Sequence, residues 1–320
     1  MIHNRHFEDY VRLADQGRNG VPSIVIGTLV VLAVWIVATL LSLLLGGVVA
    51  RYLDPTLSLG EATAAATRGR LGAIVLLGSV ASFWPAVWLS LRLVHRRAFV
   101  SVLGSTLRID RPDLWRGCAA ALLVAGVSIA PALLTGGLPA IASVQLGQWL
   151  LWLAPMALLL FFQTSGEELF FRGYLAQALA HRFRSPIVWA GLPILSFVLM
   201  HWYGGATGAM NAAALFTIAT IAATAALLVY VTGNLGAAFG LHWGNNIAAL
   251  LLVSSDDRLG NLALVTTRSV SDPSWSAGSS LVVAFVGLVA AVAKLALLLY
   301  PRSPLALEAV RRRSGSGWTS

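Results

Sequence analysis

Of the 320 residues, 58% are hydrophobic and only 11% are charged, against roughly a quarter charged in an ordinary soluble domain. Long uncharged apolar runs recur along the whole chain, which excludes a soluble globular enzyme and reads as a protein that crosses the bilayer several times. The net charge of +9 does not point to nucleic acid, because the arginines cluster in short stretches between apolar runs, where they act as topology signals.

The first 22 residues are polar and mixed in charge and read as a cytoplasmic segment. The apolar run that follows is too long for a signal h-region, so no cleavable signal peptide is expected. A membrane helix needs about 20 apolar residues. On that basis the chain predicts helices at 23–49, 71–93, 115–135, 148–181, 187–203, 209–231, 235–253 and 280–299. The expected fold is an all-α bundle of about eight transmembrane helices forming one domain over 23–300. The fourth segment is too long for one straight crossing. It must tilt strongly or break near Gln163–Gly166, where Thr164 or Ser165 would cap a new helix. Cys118 is the one cysteine, lies in an apolar run, and reads as a small core residue with no internal disulfide to form. Residues 301–320 read as a disordered tail.

Loop charges set the orientation. The most basic loop holds Arg92, Arg96, Arg97, Arg108, Arg111 and Arg116. Arg182 and Arg184 follow the fourth span, and Arg302 and Arg311 to Arg313 follow the eighth, whereas 136–147 and 204–208 carry no charge. With eight spans these basic segments share one side, the cytoplasm, and both termini lie there. Arg51, Arg68 and Arg70 on the opposite side are a mild conflict. No internal repeat supports an inverted-repeat transporter.

An ionisable group at membrane depth is costly and marks a functional site by default. The candidates are Glu167, Glu168, Arg172, His201, His242, Asn245 and Asn246. Lys294, near the cytoplasmic end of the last span, is expected to snorkel. Glu168 and Arg172 are four apart on one helical face, in the favourable acid-then-base order, and read as an ion pair. Glu167 is rotated about 100° from Glu168, which leaves it available for chemistry. The plainer alternative is that both glutamates only satisfy Arg172 and cap a helix. His201, beside Trp202 and Tyr203 in an interfacial belt, reads equally as a core or interfacial histidine. His242 and Asn246 are four apart, so an imidazole and a carboxamide share a face. Both can donate to a developing oxyanion, or simply make a polar contact between helices.

Together these groups suffice for hydrolysis. Glu167, helped by His201, would take a proton from water; the water would attack a peptide carbonyl; His242 and Asn246 would stabilise the oxyanion. No cofactor is required. Two histidines and a carboxylate also suit zinc, although no H-E-x-x-H pair lies on one helix. A proton-coupled transporter with a Glu/His relay is a weaker alternative.

The segments "EELFFR" (Glu167, Glu168, Arg172), "FVLMH" (Phe197, His201) and "HWGNN" (His242, Asn246) resemble, in the same order, the E-E-x-x-x-R, F-x-x-x-H and H-x-x-x-N motifs of the CAAX prenyl protease and bacteriocin-processing family, also called Abi proteins, of intramembrane glutamic endopeptidases. The resemblance covers about 160–250, with a protease-like core extending over about 75–255. It implies that Glu167 and His201 activate water, that His242 and Asn246 form the oxyanion site, and that Glu168, Arg172 and Phe197 support them. Asn245 is an extra amide beside Asn246 and an additional candidate. The expected partners are a peptide or membrane-protein substrate and the lipid bilayer, with no nucleic acid. Arginine-rich, lysine-poor, alanine-rich composition points to a GC-rich bacterial genome, and the expected location is a bacterial cytoplasmic membrane. A non-proteolytic scaffold or bacteriocin-immunity protein using the same cavity is the competing reading.

Overall fold

Inside lipid every backbone polar group must be satisfied within the chain, and the apolar runs accordingly fold as helices. The structure, a computed structural model, describes residues 4–135, 140–141, 144–256 and 262–315. In chain order the helices are α1 (Arg5–Arg12), α2 (Val21–Leu53), α3 (Leu59–Ala65), α4 (Gly69–His95), α5 (Arg111–Thr135), α6 (Leu146–Arg182), α7 (Ile187–Leu199), α8 (Gly208–Thr232), α9 (Gly236–Ile247), α10 (Ala277–Leu299) and α11 (Glu308–Gly315).

Among the described residues, five helices are long and apolar enough to cross a membrane: α2, α4, α6, α8 and α10. Their outward surfaces are hydrocarbon, as at Leu40, Leu44 and Leu45 of α2 and Leu281 and Phe285 of α10, all exposed. The expected spans at 115–135, 187–203 and 235–253 are also helical, with two differences. α7 stops at Leu199, so His201 lies in a turn beyond it and not on a helix. α9 is a short α-helix extended by a π-turn over Ala248–Leu252, and its first six residues are all buried by protein.

α6 runs for 37 residues, about 55 Å at 1.5 Å per residue, far beyond the roughly 30 Å hydrocarbon core. The expected break at Gln163–Gly166 is absent. The Thr164 and Ser165 hydroxyls donate back to the carbonyls of Leu160 and Phe161, inside a continuous helix, instead of capping a new one. The irregularity comes later, as a π-turn over Leu169–Leu175, directly after the two glutamates.

A three-stranded sheet was not expected. Its two-residue strands are β1 (Ala140–Ile141), β2 (Val253–Ser254) and β3 (Val265–Thr266), in the order β1-β3-β2. β3 pairs antiparallel with β1 and parallel with β2, tying the start of α6 to the end of α9.

The polar segments before α2 and after α10 are built into the fold as far as they are described. Phe7 of α1 packs against the rings of Trp189 and Tyr230. The Tyr10 hydroxyl is completely buried and donates to the carbonyls of Val102 (2.8 Å) and Gly173 (3.1 Å), and Gln177 donates to Tyr10 O. The segment after α10, expected to be disordered, is held as far as α11. Ala306 and Leu307 are fully buried, Leu307 N donates to Leu298 O, and Asp113 accepts from both Arg116 and Glu308 N. Packing of two apolar side chains and an anchored helix start outweighs the polar composition here. Residues 316–320 lie outside the described residues.

Candidate active site

The two glutamates end the first α-helical part of α6, where the π-turn begins. Glu168 is 1% exposed and Arg172 is 2% exposed. Glu168 Oε1 accepts from Arg172 Nη1 at 2.9 Å and from His242 Nδ1 at 2.8 Å. Arg172 Nη2 donates to Ala222 O at 3.1 Å, and its guanidinium lies 4.7 Å over the Phe197 ring. The expected ion pair therefore forms, and it joins α6 to α8 and α9.

Glu167 points elsewhere, as its position one residue earlier on the helix dictates. Its carboxylate is buried, and Oε2 has no hydrogen-bond partner. His242 Nε2 lies 3.6 Å from Glu167 Oε2. His242 thus stands between the two carboxylates. A carboxylate only accepts, so Nδ1 donates to Glu168 and fixes the ring. Nε2 is then turned towards Glu167.

Glycine spacing explains why α9 presents His242 this way. Gly236, Gly240 and Gly244 recur every fourth residue and face α5. An added Cβ would fall 2.4 Å from Asp110 O at Gly236, 1.8 Å from Leu114 O at Gly240 and 2.7 Å from Cys118 O at Gly244. On α5, Gly117 meets Ala237 O in the same way. Such a small-residue strip lets two backbones touch. His242 lies two residues, about 200° of rotation, from Gly240, so contact of the glycines with α5 turns the imidazole towards α6.

The depth of His242, only a few residues into its helix, is explained by the preceding turn. Gly233 closes α8 with φ 62°, and an added Cβ there would meet His6 O. Asn234 is buried. Its side chain donates to Arg108 O (2.7 Å) and accepts from the amides of Asp110 (3.0 Å) and Gly236 (2.8 Å). The uncharged turn is sunk beneath the 99–110 connection, and α9 starts inside the protein.

His201 follows α7 in a turn. Its Nδ1 bonds to Phe197 O at 2.8 Å. A carbonyl only accepts, so Nδ1 carries the hydrogen and Nε2 of the neutral ring is left as an acceptor. The turn is pinned by Asn211 of α8, which donates to Tyr203 O at 2.8 Å. The Phe197 ring contacts His201 (4.6 Å between centroids) and His242 (5.8 Å) as well as Arg172. One aromatic ring therefore separates and spaces all three.

Asn246 shares the His242 face and donates from Nδ2 to Gln163 Oε1 at 3.2 Å. Asn245 does not join the group. Its Oδ1 accepts from Lys294 Nζ at 2.9 Å, because one residue of helical rotation turns it towards α10. Lys294 is 5% exposed and does not snorkel: the asparagine gives its ammonium a partner inside the bundle. The sequence reading missed Gln163, Asn234 and the glycine strip. Each left a signal: a lone amide one turn before Glu167, a polar residue in an apolar turn, and glycines at intervals of four. Among the described residues no three His, Cys, Asp or Glu side chains are arranged to hold a metal ion.

No solved structure matches the chain. It is similar to the uncharacterized protein YyaK of Bacillus subtilis (strain 168), 24% identical over 198 residues, which cover 60% of this chain and 65% of the relative. The chain thus spans just under two thirds of the length of that curated relative. Residues 147–248 match the family model described as Type II CAAX prenyl endopeptidase Rce1-like. That segment, under half of the chain, holds Glu167, Glu168, Arg172, Phe197, His201, His242 and Asn246.

Proposed function

We propose that the protein is an intramembrane endopeptidase that hydrolyses a peptide bond in a membrane-associated peptide or protein. The observation that carries this reading is the buried, unpartnered Oε2 of Glu167 facing His242 Nε2 at 3.6 Å, with the other side of that imidazole held by Glu168. A carboxylate left without a partner in a low-dielectric interior is poised to accept a proton.

Glu167 takes a proton from a water that His201 Nε2 helps to orient. The hydroxide oxygen bonds to the peptide carbonyl carbon, and the carbonyl electrons move to its oxygen. The protonated His242 Nε2 and the second N–H of the Asn246 amide donate to that oxygen. Collapse breaks the C–N bond, and the proton on Glu167 passes to the leaving nitrogen, giving a carboxylic acid and an amine, with Glu167 again ionised. Glu168 and Arg172 orient His242. Counted over the eight expected spans, the positive-inside rule supports an orientation with both termini in the cytoplasm of a bacterial cell.

The test compares protein termini by mass spectrometry in matched strains expressing wild type and Glu167→Gln at equal membrane abundance. Loss of a general base costs about 10²-fold or more, so specific cleaved termini should appear with wild type alone. Identical termini in both strains, with a wild-type phenotype retained by the mutant, would instead establish the scaffold or immunity role.

A further inference from the structure

Asn246 can serve an oxyanion only if its nitrogen, and not its oxygen, faces the reacting carbonyl. An asparagine amide can be turned either way about its last torsion with little change in shape. Something beside it must therefore discriminate. His242 lies on the same face of α9 but is bonded to Glu168. Asn245 and Lys294 engage each other on a different face. The side chain that meets Asn246 is Gln163 of α6.

Gln163 is 7% exposed, in a helix where its neighbours Leu160, Thr164 and Ser165 are buried. Its Oε1 accepts one hydrogen of Asn246 Nδ2 at 3.2 Å. That contact holds only when an oxygen faces a nitrogen, so the orientations of the two amides are correlated. Gln163 also precedes Glu167 by one helical turn on α6. With Oε1 given to Asn246, the Gln163 NH₂ is the group left to turn towards Glu167, which favours the same orientation. The two ends of one amide then read a donor on α9 and an acceptor on α6, and the second hydrogen of Asn246 Nδ2 remains free.

We infer that Gln163 is a positioning residue: it holds the Asn246 carboxamide nitrogen-first towards the reacting carbonyl and ties it to the helix that carries Glu167. The inference rests on the endopeptidase reading for its chemical meaning, but the contact itself is independent of that reading. Gln163 touches neither water nor substrate in the scheme above and acts through its two neighbours.

The experiment uses the full-length protein in detergent and in membranes. Its substrate is a membrane-tethered reporter carrying the cleavage sequence found by comparing termini. Gln163→Met keeps length and apolar volume but removes both polar ends. It should lower kcat about tenfold or more, within the range for a disturbed oxyanion donor, while KM changes less than about threefold. Asn246→Ala should cost at least as much. The double variant Gln163→Met/Asn246→Ala should be close to Asn246→Ala alone, since residues acting as a unit are not additive. Gln163→Glu, which retains an acceptor for Asn246, should recover part of the kcat lost in Gln163→Met at a pH where that acid is neutral.

Fully additive losses, or a wild-type kcat in Gln163→Met, would overturn the inference while leaving the endopeptidase reading intact. Glu167→Gln separates the two: wild-type cleavage by that variant defeats the endopeptidase reading. In that case a thermal-unfolding cycle over Gln163 and Asn246 still decides the contact. Coupled shifts in Tm uphold the amide pair, and additive shifts remove it.

Discussion

Replacing Gly240 with alanine tests whether the glycine strip sets the site. The added Cβ would lie 1.8 Å from Leu114 O, with Leu114 C at 2.7 Å and Cys118 N at 2.9 Å. All three are backbone atoms, so no rotamer change relieves the clash. Real Cβ contacts essentially never fall below 3.0 Å, so α9 must move at least 1.2 Å away from α5. The direction of that movement matters more than its size. His242 lies across the helix from Gly240, and its Nδ1 is already 2.8 Å from Glu168 Oε1. A shift towards α6 cannot be absorbed there, and the imidazole must turn out of its place between the carboxylates. Overpacking costs about 1–3 kcal/mol, although alanine regains up to about 1 kcal/mol over glycine in helix propensity. A misplacement of about 1 Å can cost about 10²-fold in rate. The control is Gly126→Ala in α5, where nothing lies within 4 Å of the new Cβ. The assay pairs thermal unfolding in detergent with the profile of cleaved termini. Gly240→Ala should lower Tm relative to the control and abolish most cleavage. Equal Tm and wild-type cleavage in the two variants would refute the argument that the glycines aim His242.

Two further outcomes follow from the polar groups. Arg172→Met leaves Glu168 buried with one partner fewer and should cost about 3–5 kcal/mol, whereas adding Glu168→Gln removes the stranded charge and should restore much of the loss. Unfolding of the single and double variants checks this, and a single variant within about 1 kcal/mol of wild type would contradict it. Outside the membrane spans, Ser58 and Glu61 form a capping box at the start of α3. The Ser58 hydroxyl and backbone N–H bonds hold the Glu61 carboxyl below its usual range. A depressed folded-state value means that the stabilisation is present at neutral pH and is lost as pH falls through that value. Hydrogen exchange at 59–65 should therefore be unchanged from pH 8 to pH 6 after correction for intrinsic rates, and should accelerate selectively below the ordinary carboxylate range. Uniform protection down to strong acid would show that the box does not hold the helix end.

Helical spacing made part of the site readable in advance. Glu168 and Arg172 at i and i+4 meet because one turn of helix brings them together whatever surrounds them. The same holds for the shared face of His242 and Asn246 and for the divergence of Glu167 from Glu168. Periodicity says nothing about what a face looks towards. Asn245 and Asn246 are adjacent amides with the same chemistry, yet one is taken up by Lys294 of α10 and the other meets Gln163 of α6. Hydropathy likewise finds apolar segments but does not distinguish a lipid-facing helix from one sheathed by protein: 235–253 is helical as expected, yet its first half, 236–242, is buried inside the bundle.

The sequence by itself determined that the chain is a helical membrane protein and which few polar residues are expensive enough in lipid to carry function, because composition and a 3.6-residue period are local properties. Only the tertiary structure decided that His242 stands between two glutamates and that Gln163 joins Asn246 to the Glu167 helix. It alone also showed that the polar segments around Tyr10 and Leu307 are packed into the bundle. Those facts depend on the rotation and depth of one helix against another, and these are set by backbone-to-backbone contact at glycines far from the charged groups they align.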